Sequence, residues 1–150
     1  MQLKRSTDIL LRVLLHLASH PERDHVSIQD LSDELNWNKN LVVKVAHLAV
    51  QQGLLTAIRG RTGGVALAHP LSWYRIGDIV RLGEGDESLV NCKEPYCPLL
   101  TGGCRLSSVL NNAREIFYRE LNRYTLEDLA TTDKHNSAIE HVINLRPKKN

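Results

Sequence analysis

Residues 39–68 read KNLVVKVAHLAVQQGLLTAIRGRTGGVALA, and a change of period inside them decides the fold. From Lys39 or Asn40 to Gln52, the apolar residues Leu41, Val42, Val45, Leu48 and Ala49 recur at helical spacing. Gly53 then offers the left-handed residue that often closes a helix. Two short β runs follow, Leu54–Arg59 and Val65–Ala68, joined by Gly60-Arg61-Thr62-Gly63-Gly64. This reads as a hairpin whose tip carries Arg59 and Arg61 on permissive glycines.

Upstream, Ile9, Leu10, Val13, Leu14 and Leu17 mark a helix over Thr7–Ser19, with Ser6 or Thr7 as its N-cap. After a polar turn at Pro21–His25, Ser27-Ile28-Gln29-Asp30 opens a second helix in a near capping box. Its buried face is Ile28, Leu31 and Leu35, and Asn36-Trp37-Asn38 makes the turn into the third helix. Three helices and a basic hairpin, in that order, predict a winged helix-turn-helix. The expected class is mainly α with a small β-hairpin.

Downstream, Ile76–Leu82 reads as a shorter helix. The loop Asn91-Cys92-Lys93-Glu94-Pro95-Tyr96-Cys97-Pro98-Leu99-Leu100-Thr101-Gly102-Gly103-Cys104 then holds all 3 cysteines of the chain. From Arg105 to Arg123, Leu106, Val109, Leu110, Ala113, Ile116, Phe117, Leu121 and Tyr124 form an apolar stripe at helical spacing. The winged unit has its own core, so this stripe needs another partner. A second copy of the chain is the economical one, giving a two-fold homodimer. The expected organisation is a winged DNA-binding unit over residues 1–75, a short helix and cysteine loop over 76–104, and a dimerisation helix with a basic tail over 105–150.

With 42% hydrophobic and 24% charged residues, the chain belongs with globular proteins rather than disordered or membrane ones. Asp8, Arg12 and His16 interrupt the apolar run near the N-terminus, so it is not read as a signal peptide. No apolar stretch reaches the roughly 20 residues that span a bilayer. The expectation is a cytoplasmic protein without membrane contact, where thiols stay reduced and an odd cysteine count disfavours disulfides.

The net charge of +2 says little, but its distribution says more. Lys39, Lys44, Arg59 and Arg61 fall in a stretch from Lys39 to Gly64 that has no Asp or Glu. On the third helix Asn38, Lys39, Asn40, Lys44, His47 and Gln51 should face outward, as donors for phosphates and base edges in a major groove. Arg59 and Arg61 suit a narrow, electronegative minor groove. A solvated helix face is the plainer alternative; the missing acids and the adjoining basic hairpin favour double-stranded DNA. A two-fold dimer would match a palindromic operator.

Three thiolates from one irregular Pro/Gly loop suggest an iron–sulfur or other soft-metal site whose fourth ligand comes from elsewhere. Tetrahedral zinc is the rival. Zinc sites usually pair ligands as Cys-x-x-Cys, whereas here four and six residues intervene, and no His occurs between His69 and His135. Buried thiols acting as small hydrophobes would be the bland reading, in conflict with their polar neighbours. A thiol redox enzyme is a further alternative, disfavoured by the lack of Cys-x-x-Cys and of any catalytic His or acid pattern.

These residues resemble the small iron–sulfur winged-helix regulators of the IscR and NsrR type, over Met1–Leu129. The resemblance lies in the opening Met-Gln-Leu with Thr7-Asp8, the hairpin Ala57–Gly64, Ile76-Gly77-Asp78-Ile79-Val80 and the cysteine trio. Leu89-Val90-Asn91-Cys92 and Tyr124-Thr125-Leu126-Glu127-Asp128-Leu129 look like the nitric-oxide-sensing NsrR branch. IscR-type members place a ligand His three residues after the last Cys; here Ser107 stands there. The resemblance implies a transcriptional repressor, not an enzyme, with nitric oxide as its signal. A cluster, 4Fe–4S rather than 2Fe–2S, would be held by Cys92, Cys97 and Cys104, with Asp8 from the other subunit as fourth ligand. From the residues alone, Asp8 is an acid favoured in a first helical turn. A redox or iron–sulfur-status regulator of the same fold is the alternative within the class.

Overall fold

The computed structural model describes residues 2–85, 88–92, 95–100 and 104–130. Helix α1 spans Arg5–Ala18 and buries Ile9, Leu10, Val13, Leu14 and Leu17, the face its periodicity predicts. Its start differs from expectation. Lys4 is the N-cap and offers no side-chain bond, while Thr7 lies fully buried inside the first turn. A distant carboxylate does the capping work: Glu84 Oε1 accepts from the Lys4 backbone N–H at 2.7 Å and from Thr7 Oγ1 at 2.6 Å. Orphan donors at a helix start need partners, and here tertiary structure supplies one.

Helix α2, Ile28–Glu34, is capped by Ser27, whose Oγ accepts from the Asp30 N–H at 3.1 Å. Asn36 then turns the chain at φ 54°, a left-handed conformation that Asn tolerates better than most residues. Helix α3, Lys39–Gln51, is capped by Asn38 and ends ahead of Gly53 at φ 71°. Strands β1, Leu55–Ile58, and β2, Gly64–Leu67, pair antiparallel with Leu55 opposite Leu67 and Ile58 opposite Gly64. Val26 adds a one-residue bridge to β2 by exchanging both backbone bonds with Val65. A Cβ on Gly64 would lie 2.2 Å from the Val26 carbonyl oxygen, so only glycine permits this approach. The architecture is mostly helical with a two-stranded antiparallel hairpin, the winged helix expected from the sequence.

Helix α4, Ile76–Glu84, crosses α1 and is itself crossed by α5, Leu106–Leu121. Glycines allow both crossings. A Cβ on Gly83 would meet the Thr7 side chain at 2.5 Å, and one on Gly77 would meet the Tyr118 carbonyl oxygen at 2.1 Å. Arg81 pairs with Glu115 at 2.5 Å and lies over the Tyr118 ring, and Asn122 bonds both the backbone and the carboxylate of Asp78. Helix α6, Leu126–Ala130, has no counterpart in the sequence pattern. Thr125 and Asp128 cap it reciprocally, and its fully buried Leu126 joins the same core as Leu10 and Leu31. The chain thus returns from α5 to α1 and to the base of the hairpin. The basic tail predicted after Asp133 lies outside the described residues.

The α1–α2 junction carries a titratable contact. Burial, and then the neighbouring His20, hold the His16 imidazole below its ordinary pKa of 6.5, against the opposing pull of Glu34 at 2.7 Å. Arg23 engages the same Glu34 carboxylate and keeps it ionised to lower pH. The folded state therefore binds the His16 proton less readily than the unfolded chain. Stability contributed by neutral His16 is present above pH 6.5 and is lost as pH falls below it. Acidification through that window should lower the thermal midpoint, and His16→Gln should flatten that part of the profile. An undiminished drop in the variant would assign the titration to another group.

Candidate nucleic-acid interface and sensor site

All eight residues expected to meet DNA are exposed: Asn38, Lys39, Asn40, Lys44, His47 and Gln51 around α3, and Arg59 and Arg61 on the hairpin. They lie within a segment, residues 35–77, that contains no Asp or Glu. Asn38 has a second duty, because its Oδ1 accepts from the Asn40 N–H at 2.9 Å and fixes the start of α3. Only its amide group is left to donate outward. The hairpin is held at both ends. A His25 ring nitrogen lies 2.7 Å from the Thr62 carbonyl oxygen at the tip. At the base, the buried Tyr74 hydroxyl donates to the Leu54 carbonyl at 2.8 Å and accepts from the His69 N–H at 3.0 Å. Burial pushes the Tyr74 phenol above its ordinary pKa, so it remains a donor. Neither His25 nor Tyr74 stands out in the sequence, since contacts across 37 and 20 residues leave no periodic signal.

Cys92, Cys97 and Cys104 are free, the first two half-buried and the third exposed, on the connection between α4 and α5. Backbone bonds curl this loop: the Cys97 N–H donates to the Cys92 carbonyl at 3.1 Å, and the Cys104 N–H to the Leu99 carbonyl at 3.3 Å. A single-turn 3₁₀ helix, Pro98–Leu100, lies between them. Among the described residues, no three His, Cys, Asp or Glu side chains converge tightly enough to hold a metal ion. Lys93, Glu94, Gly102 and Gly103 of the same loop lie outside the described residues. The three thiols are soft donors clear of the core.

Asp8 lies on α1, where its Oδ1 pairs with Arg12 Nε at 2.7 Å, the arginine well exposed and the carboxylate partly so. Such an exposed i,i+4 pair is worth only about 0.3–0.5 kcal/mol, so the carboxylate is easily released to another partner. It shares a groove with Gln2, Leu3, Arg5 and Trp37. One turn before Asp8, the Arg5 guanidinium lies over the Trp37 ring, 5.1 Å from its centroid. Trp37 immediately precedes Asn38, the cap of α3. Asp8 therefore lines the same groove as the residue that precedes the cap of α3.

The stripe on α5 divides in two. Phe117 and Leu121, together with Tyr118, pack against the core, while Leu106, Val109, Ala113 and Ile116 face away from it. Leu106, Val109 and Ile116 are 55%, 56% and 56% exposed. With Ala113 they are spaced 3-4-3, the pattern that helix-pairing seams use. No described helix is long and apolar enough to cross a membrane.

A family model for Rrf2 proteins, described as iron-dependent transcriptional regulators, matches residues 3–132. Solved structures share the fold. CymR, the global cysteine regulator of B. subtilis, superposes with a TM-score of 0.67 at 24% identity, covering 87% of this chain and 97% of its own. CymR of Staphylococcus aureus gives 0.63 at 25% identity over 84% and 95%, and IscR of T. potens 0.65 at 17% over 99% and 94%.

Proposed function

Since the chain belongs to the Rrf2 family of iron-dependent transcriptional regulators, we propose that it is a homodimeric, nitric-oxide-responsive iron–sulfur repressor of a palindromic operator. Its family sets aside the thiol redox enzyme. The observation that carries the reading is the free cysteine trio on one loop, between α4, which packs on α1, and α5, whose outer seam is uncovered. Cys92, Cys97 and Cys104 would hold the cluster, and Asp8 of a second copy would close it. Bound there, the group would supply an iron held weakly on its oxygen side, open to nitric oxide.

The residues of the chain then transmit the state of that link. Asp8 engaged by a ligand leaves Arg12; Asp8 set free returns to it. Arg5, one turn earlier on α1, lines the same groove as Asp8 and lies over Trp37, so a displacement of α1 at Asp8 would be felt at that ring. A shift there passes through Trp37 to the cap of α3. Because both half-sites must be met together, a displacement of a few ångströms weakens binding to both. The nitric-oxide signal rests on the resemblance of Leu89–Cys92 and Tyr124–Leu129 and on the availability of Asp8. A regulator answering to cysteine or redox state is the second reading, favoured by the likeness to CymR and by three thiols that are free.

Anaerobic isolation with a visible spectrum and iron and zinc analysis tests the centre: bound iron supports the proposal, stoichiometric zinc overturns it. On the DNA side, Arg59→Ala and Arg61→Ala should each weaken operator binding. Each should also lower the slope of log affinity against log salt, by about 1 for every phosphate the arginine neutralises in a half-site. Lys44→Ala should do the same, whereas Asn40 and Gln51 substitutions should change sequence preference. Unchanged slopes for both arginine variants would remove the hairpin from the interface.

A further inference from the structure

Val43 is out of place on α3. It is the fifth residue of the helix and 44% exposed, with Lys39, Asn40 and His47 one turn away on either side, all exposed. A solvated face has no use for it: a β-branched residue lowers helix propensity and gains nothing from water. Nor does the core claim it, since the buried positions of α3 are Val42, Val45, Ala46 and Ala49. Val43 instead lines a groove between α3 and the hairpin, with His47, Ala57, Ile58 and Arg59. Ile58 is 41% exposed across that groove, so the two branched side chains make one small apolar patch. Arg59 lines the same groove, and Lys39 and Lys44 lie within one turn of Val43 on α3, in a segment free of acids.

A partner for this patch must be strongly anionic around its edge and carry a small apolar group at its centre. Duplex DNA meets both demands. In the major groove thymine alone presents a methyl group, while the flanking phosphates answer the cations. We infer that Val43 reads the 5-methyl group of one thymine in each operator half-site, and that the operator is specified partly by this apolar contact. Ile58 closes the side of the groove against water. The inference rests on the DNA-binding role proposed above and adds a base identity to it.

A binding duplex is first selected from random double-stranded DNA with the wild-type protein, so the operator sequence need not be known in advance. Each thymine is then replaced by deoxyuridine, symmetrically in both half-sites, which removes the methyl group and nothing else. At one position uracil should weaken wild-type binding by about 4-fold per half-site, the worth of one desolvated carbon. Val43→Ala should bind the thymine and uracil forms of that position alike, and Val43→Ile should restore the distinction. Three outcomes would overturn the inference: selected half-sites without thymine, uracil tolerated at every position, or full discrimination kept by Val43→Ala. Uracil tolerated everywhere would mean that no methyl group is read, and discrimination kept by Val43→Ala that another residue reads it. Failure to select any duplex would instead overturn the DNA-binding reading itself.

Discussion

Replacing Cys92, Cys97 or Cys104 singly by Ala is expected to abolish the visible absorbance of the anaerobically isolated protein and its high-affinity operator binding together. The fold should survive, because none of the three thiols belongs to the core that runs from Ile9 to Leu126. Loss of one thiolate leaves two, too few to retain a cluster. Asp8→Ala should behave differently. Three thiolates remain, so the absorbance persists with greater oxygen lability, while operator binding falls because the link between subunits is cut. A circular dichroism melt separates both phenotypes from unfolding. Native absorbance in any one Cys variant would remove that cysteine from the ligand set. Native cluster stability and DNA affinity in Asp8→Ala would return Asp8 to its ion pair with Arg12.

Ile116→Glu should convert the protein to monomers. Ile116 sits in the outer seam of α5 and is 56% exposed in the single chain, so the change costs little there. In a dimer it would bury an unpaired carboxylate at the seam, at a cost of several kcal/mol on each side. Sedimentation at micromolar concentration should then show a single chain, and operator affinity should fall on the order of 100-fold as bivalent binding is lost. Leu110→Glu is the less clean test. Leu110 is half-buried and shares a cleft with Leu3, Leu89 and Phe117, so its loss would also disturb the chain's own packing. An Ile116→Glu protein that remains dimeric would mean the seam is not the interface.

Local signals made the winged unit legible. Ser27 and Asn38 cap their helices with side chains visible in sequence, Gly53 ends α3, and the apolar period of α1 holds residue by residue. Every signal that failed was overruled by a distant residue. Thr7 has the chemistry of a cap, but Glu84 takes that duty from across the fold, freeing Thr7 for burial. Val26 belongs by pattern to neither the Pro21–His25 turn nor α2, and takes its place only because Val65 pairs with it. Helix α6 is 5 residues long, too short for a period, and exists because Leu126 has a core to enter and Tyr74 has a carbonyl for its N–H. The α5 stripe is right in extent but undivided in the sequence, since spacing cannot say which half meets α4.

The candidate site divides along the same line. The exposed donors on α3 and the hairpin were legible because exposed helix positions follow from the period of the buried ones. The cysteine loop was legible as chemistry, by residue type and spacing, yet no described set of donors is gathered there. The groove that Asp8 shares with Trp37 was not legible at all. Arg5 and Trp37 are brought together only when α1 packs beside the turn into α3.

The central claim is that one centre on the cysteine loop both binds nitric oxide and governs operator binding. It is tested most directly by titrating the anaerobically isolated protein with nitric oxide while recording its visible spectrum and the anisotropy of bound operator DNA in the same sample. The proposed function predicts that the spectrum bleaches and the DNA is released in parallel, and that Cys97→Ala shows neither change. A protein that loses its absorbance yet keeps its DNA, or that binds the operator tightly with no iron at all, would contradict it.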